Sequence, residues 1–276
     1  MATQVTVLVN DSTDRTGLET EHGLALWIEH DGRRILFDTG TSGQVLLRNA
    51  AALGVKLDEA EALCLSHGHY DHTGGLGAVL GLLRGATLYA HPALFTPKYA
   101  RRSSGWQSIG IRLSREDVEA AGLHVSLSAG PQEVVPGATL LGEVERDPGY
   151  VPSTPHLFIE DEQGRRVDPF PDDQALALDV GDGLIVVSGC AHAGIINHCR
   201  AAQRLHPGGA LRAVLGGFHL VGASPVLLEA TLDAFRDLAP QAIHPCHCTD
   251  QQATDALVRA FPDTCHPIAA GASLAW

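Results

Sequence analysis

The sequence is short of cations, of paired cysteines and of long apolar runs, and each shortage removes a class of function. Only 19 Lys and Arg stand against 32 Asp and Glu, a formal charge of −13. Nucleic acid is therefore not expected as a partner, because neutralising phosphates takes clustered Lys and Arg. The six cysteines, at 64, 190, 199, 246, 248 and 265, are too few for a disulfide scaffold in 276 residues. They also lack the CxxC spacing of a structural zinc site. The longest apolar-rich stretch, Leu76 to Leu83, falls far short of the ~20 residues that span a bilayer. The opening MATQVTVLVN has no basic segment ahead of an apolar run, so no secretory signal is expected. These absences predict a cytoplasmic, soluble protein with free thiols and no membrane partner.

What is present is a 45% hydrophobic composition with 18% charged residues, enough for a sizeable core and incompatible with global disorder. Histidine is in excess, 15 against 4 Tyr and 3 Trp, which suggests metal or proton chemistry.

Strand-like runs at Gln4–Asn10, Leu24–His30, Arg34–Phe37, Ala62–Leu65 and Thr87–Ala90 frame a helical spacing over Gly40–Gly54 and a Gly/Ala/Leu helix to about Leu83. The middle, about 92–171, is rich in Pro and Gly and reads as loops and irregular strands that shape a substrate pocket. Strands then return at Ala175–Val180, Leu184–Ser188, Leu211–Leu215 and Ala242–Pro245, with helices at Ala193–Arg204, Pro225–Leu238 and Asp250–Phe261. No domain boundary stands out, so residues 1–276 are expected to form one domain, with two sheets packed together and helices outside.

The segment that decides the chemistry is Ser66-His-Gly-His-Tyr-Asp-His72. It follows a buried strand and precedes Thr-Gly-Gly. Alternate residues on an extended strand end point the same way, so His67 and His69 can share one metal, and Tyr70 is expected to point away. The turn then carries Asp71 and His72 to a second position, where a carboxylate hardens the ligand set. His192, after Leu184–Ser188, and His247, after Ala242–Pro245, are the candidate distant ligands because each follows an apolar strand and precedes a helix.

These motifs resemble the metallo-β-lactamase-fold superfamily. His67-x-His69-x-Asp71-His72 resembles its HxHxDH signature, and Leu36-Phe-Asp-Thr-Gly40 the strand-end motif ahead of it. Glu21-His-Gly23, Asp173-Gln-Ala-Leu176, Gly189-Cys-Ala-His-Ala-Gly194, Gly216-Gly-Phe-His-Leu220 and His247-Cys-Thr249 resemble its dihydropterin–ribofuranosylaminobenzene phosphate synthase-like branch. The resemblance implies an α/β fold: an αββα sandwich of two mixed sheets flanked by helices. It implies one metal at His67, His69 and His192 and another at Asp71, His72 and His247, most simply two Zn²⁺, with Fe or Mn as alternatives. The superfamily's usual bridging Asp has no counterpart here, and either Cys190 or His219 can take its place. His219 is equally a substrate contact.

Asp38 is expected to orient the His67–His72 loop, or else to cap the following helix. His91, at another strand end, faces the cleft or forms a plain turn. Glu21 and His22 are further substrate candidates, and Arg101, Arg102, Arg165 and Arg166 are candidate phosphate ligands. His30, His124, His198, His206 and His266 read as surface or packing residues, and Cys246 and Cys248 as packing beside the site. The expected function is a metal-dependent hydrolase of a small phosphoester, lactone or related ester, with Asp71 holding and deprotonating water, or a pterin-transferring synthase of the methanopterin type. A di-iron redox enzyme and a non-catalytic metal-binding module are the alternatives. An RNA-processing role fits the metal motif but not the charge.

Overall fold

The computed structural model describes residues 2–276. The first half runs β1 (Thr3–Val9), β2 (Ala25–His30), β3 (Arg33–Phe37), α1 (Gln44–Leu53), β4 (Ala62–Cys64), the short helices α2 (Tyr70–Thr73) and α3 (Leu76–Val79), and β5 (Thr87–Ala90). The middle holds β6 (Lys98–Arg102), β7 (Gly105–Ser108), α4 (Arg115–Ala120), β8 (His124–Leu127), β9 (Gln132–Val135), β10 (Ala138–Leu140), β11 (Leu157–Asp161) and β12 (Gly164–Val167). The last part is β13 (Ala175–Asp179), β14 (Leu184–Ser188), α5 (Ile195–Leu205), β15 (Leu211–Gly217), α6 (Pro225–Leu238), β16 (Ile243–Cys246), α7 (Gln251–Ala260) and β17 (Ser273–Ala275).

Two mixed sheets face each other. One has the order β17-β1-β2-β3-β4-β5-β8 and the other β16-β15-β14-β13-β10-β9. The alternation of side chains along each strand explains the layering. In β14, Ile185 and Val187 join Leu26, Ile28 and Phe37 of the opposite sheet in a core between the two sheets. Leu184 and Val186 point the other way, into the core beneath α5 and α6. On the far side, Trp27, Leu36 and Leu63 pack under α1 and α3. The result is the four-layer α/β sandwich with helices on both outer faces.

In both sheets antiparallel strands give way to parallel ones, at β3–β4–β5 in the first and β14–β15–β16 in the second. The C-terminal ends of parallel strands are where α/β folds gather ligands. Here β4, β14, β15 and β16 all discharge their loops at one edge. Among the described residues no helix is long and apolar enough to cross a membrane.

The middle is more regular than the Pro/Gly content suggests. β8 extends the first sheet, β9 and β10 extend the second, and β12-β11-β6-β7 form a separate four-stranded sheet. The helix expected to run to Leu83 stops at Val79; Gly77 and Gly81 each weaken a helix by about 1 kcal/mol relative to Ala.

Candidate metal centre

Backbone strain marks the edge where the loops meet. Of seven non-glycine residues with positive φ among the described residues, five lie there: Asp38, Phe170, Ala191, His219 and His247, at 58°, 51°, 57°, 47° and 50°. Such conformations cost of order 1–3 kcal/mol each and persist only where the surroundings impose them.

Asp38, at the end of β3, organises the loop after β4. Its carboxylate accepts from Ser66 N at 2.8 Å and from Ser66 Oγ at 2.7 Å, and lies 2.6 Å from His72 Nδ1. With Nδ1–H donated to Asp38, the Nε2 lone pair of His72 is left to face Cys190 Sγ and His247 Nε2, each 3.2 Å away. Ser66 Oγ also lies 2.9 Å from His67 Nδ1, which orients that ring in the same way. Gly189 closes over this cluster, where a Cβ would collide with Ser66 Oγ.

Three imidazoles then converge. The rings of His67, His69 and His192 lie 4.6–4.9 Å apart between centroids, with ligand nitrogens all within 4.8 Å of one another. His67 Nε2, His69 Nε2 and both nitrogens of His192 are buried and have no hydrogen-bond partner. Unpaired buried polar atoms are costly, and a cation is what this donor set satisfies. Burial pushes the pKa of His67 and His192 well below the usual range and that of His69 to about 3. All three are therefore neutral at pH 7, the form in which imidazole ligates.

Asp71, His72 and His247, with the sulfur of Cys190, form the adjoining cluster. Asp71 Oδ2 lies 3.3 Å from His22 Nε2, 3.4 Å from His247 Nε2 and 3.7 Å from His72 Nε2. Behind them, Asp11 lies 2.7 Å from the Nδ1 of both His22 and His247. Hydrogen bonds to Asp11 and Asp71 raise His22 to about 9. Burial opposes charge on His247, but the same two carboxylates hold its pKa well above the ordinary value. Burial likewise works against ionised Asp71, and the neighbouring His72, His22 and His247 overcome it, so its pKa falls well below the carboxylate range. A cation here would displace protons from these rings.

The six expected ligands are thus brought together in two neighbouring triads, and Asp38 touches the loop it was expected to orient. His219 reaches the cavity, its ring 4.1 Å from His192 and its Nδ1 unpartnered. His91 does not line the cavity. Its Nδ1 accepts from Ala93 N at 3.1 Å, the plain-turn alternative. Glu21 also serves a turn, accepting from the Thr41 and Ser42 amides, whereas its neighbour His22 enters the site. Tyr70 does not point away. It opens α2, where the step per residue changes from that of a strand to that of a helix, and its side chain lines the cavity.

The cavity encloses about 370 Å³ above the two triads, with Tyr70, Arg102, His156 and Leu157 on its walls. Of the four candidate phosphate arginines, Arg165 and Arg166 pair with Glu160 and Asp161 within their own hairpin, and Arg101 lies over the Phe158 ring. Only Arg102 lines the cavity, and among the described residues it makes no ion pair.

Three supports stand outside the expected roles, Asp173 among them although its motif carries the family resemblance. Phe170 stacks on His192, 4.2 Å between centroids and 4° between planes, and Arg146 holds its carbonyl. Lys98, fully buried, lies 2.9 Å from both Asp168 and Asp172, and Asp172 accepts from Gly68 N in the middle of the ligand loop. Asp173 accepts from Ala193 N beside His192, with buried His198 3.1 Å from the same oxygen. Nothing in Lys98-Tyr-Ala-Arg-Arg102 distinguishes a buried cation from a surface strand. Asp11 follows β1 without a motif of its own.

An αββα sandwich with two histidine-rich triads at its open edge carries donor sets that could hold metal ions. The sequence profile of the Metallo-beta-lactamase superfamily matches residues 19–247, and the chain belongs to that superfamily. It is 31% identical over 261 residues to the 7,8-dihydropterin-6-methyl-4-(beta-D-ribofuranosyl)-aminobenzene-5'-phosphate synthase of Methanocaldococcus jannaschii, covering 91% of this chain and 89% of that one. Among solved structures it is similar to Tm1679, described as a metal-dependent hydrolase of the beta-lactamase superfamily, with TM-score 0.83 and 31% identity over 99% of this chain and 98% of that one. A diphosphatase of the PhnP family, 14% identical with TM-score 0.51 over 100% of this chain and 98% of the other, shares the fold alone. Superfamily and relatives point to an enzyme.

Proposed function

We propose that the protein is a metal-dependent hydrolase of a small anionic ester, foremost a phosphoester, with zinc as its ordinary metal. The carrying observation is the pair of adjoining triads, one of them three buried imidazoles whose Nε2 atoms have no hydrogen-bond partner. His67, His69 and His192 would hold one cation and Asp71, His72 and His247 the other. Bound cations supply Lewis-acid polarisation of an ester or phosphoryl oxygen and draw the pKa of water toward neutrality. Asp71 positions the attacking water and takes its proton. His219, which lines the cavity and has an unpartnered Nδ1, donates to the leaving group. Arg102 offers its guanidinium fork to the anionic part of the substrate. A cavity of this size suits a small molecule.

A pterin-transferring synthase is the second reading, favoured by the 31% identity over 91% of the chain to the archaeal synthase. Arg102 would then meet a departing diphosphate, and Asp71 would take the proton lost by the attacking arene.

Metal analysis of protein purified without added metal is the first test, with about two Zn per chain expected. Two Fe would redirect the reading to redox chemistry, and one metal or none would contradict the paired centre. Phosphoesters, lactones and pterin diphosphates are assayed next. Turnover of pterin diphosphates alone selects the second reading, and turnover of none leaves a binding module. His69→Ala, folded, should lose activity, and Arg102→Gln should raise KM about tenfold, the scale of one charge-assisted hydrogen bond.

A further inference from the structure

The two triads are contiguous, and one side chain belongs to the neighbourhood of both. Cys190 Sγ lies within 4.8 Å of the ligand atoms of Asp71, His72 and His247 in one cluster, and within the same limit of His192 and His219 in another. It is 3.2 Å from His72 Nε2, the nitrogen that Asp38 leaves free. Its residue is 3% exposed, and the two nitrogens of His192 beside it have no partner. The second thiol of the cavity, Cys248, is placed differently. Its sulfur already accepts from His219 N at 3.2 Å and belongs to none of the clusters. Among the described residues no carboxylate other than Asp71 shares a cluster with a full triad; Asp11 and Asp38 meet His247 and His72 through their Nδ1 atoms.

We infer that Cys190 is a metal ligand whose thiolate is shared between the two cation positions, doing with sulfur what a bridging carboxylate would do with oxygen. This rests on the two-cation reading above. Cation binding would release the Cys190 S–H proton to solvent and leave its thiolate as the donor; no oxidant or reductant is needed. A thiolate selects borderline and soft cations, Zn²⁺, Co²⁺ or Fe²⁺, over Mn²⁺ and Mg²⁺. The fold has the means to hold it there. Ala191 sits at φ 57° immediately after it, and Asp173 fixes the next turn through Ala193 N.

The test is titration of the metal-free full chain with Co²⁺, following the near-ultraviolet sulfur-to-cobalt charge-transfer band. Two Co per chain are expected, with a band whose intensity grows through both equivalents. That band falls to baseline in Cys190→Ser and persists in Cys248→Ser. If Cys190→Ser does not fold, Cys246→Ser/Cys248→Ser leaves Cys190 as the sole thiol at the cavity, and its band must persist. Two bound Co without a band, or a band that survives Cys190→Ser, overturns the thiolate assignment while leaving the paired centre standing. A band complete at one equivalent makes Cys190 a terminal ligand and overturns the sharing. Failure to bind two Co overturns the paired centre itself.

Discussion

Asp38 Oδ2 sits 2.6 Å from His72 Nδ1 with both side chains fully shielded from solvent, so one carboxylate sets both the tautomer and the aim of a ring in the second triad. The same carboxylate receives two hydrogen bonds from Ser66. Asn at 38 cannot accept all three, because its amide nitrogen is a donor. Asp38→Asn should weaken the cation of the Asp71–His72–His247 triad by about ten- to a hundredfold, the usual cost of losing such a support. Competition against a chromophoric chelator measures this, and an unchanged second affinity would show that His72 is held without Asp38.

Lys98 is a buried cation tied to two buried carboxylates. Removing one partner of a buried ion pair costs about 3–5 kcal/mol because it strands charge. Lys98→Met should lose that much in urea unfolding, and Lys98→Met/Asp168→Asn/Asp172→Asn should lose less. If the triple variant is the less stable, packing rather than charge is what Lys98 supplies.

Asp173 carries a pH signature. Burial alone would raise its pKa, but His198 and the Ala193 amide outweigh that and hold it below 3.8. A carboxyl depressed on folding stabilises the fold above its unfolded pKa, and that share is lost as the pH falls through the folded value. The melting-temperature gap between wild type and Asp173→Asn should be full at pH 7 and narrow below about pH 4. A gap constant from pH 3 to 8 would falsify this.

Chelation should destabilise the protein as well as inactivate it. A cation that binds only the folded chain contributes about 4 kcal/mol when free metal is about 1,000 times its Kd. Treatment with dipicolinate should lower the melting temperature, and Zn²⁺ should restore it. His69→Ala should show a much smaller response to both.

Much of the sandwich was readable because its strands are apolar runs buried on both faces; β14, for example, has all five residues buried. The middle was not readable for the opposite reason. All four residues of β7 and of β12 are exposed, so no alternation marks them. In the site, His67 to His72 announced itself by crowding four ligands into six positions, and His192 and His247 by the strands before them. Asp11 and His22 acquire their meaning only when β1 and β16 meet at the edge, where Asn10 accepts from His247 N at 3.0 Å. Tyr70 was misjudged because strand geometry was extended one residue into a helix.

Each triad takes one member from far along the chain: His247 lies 175 residues beyond its neighbour His72. At 5–20 residues per second, a ribosome needs roughly 10–35 s to make that stretch. During this interval the second triad lacks His247, although His192, the partner of His67 and His69, is made 55 residues earlier. On the two-cation reading, the second position is completed only after most of the polypeptide has been made.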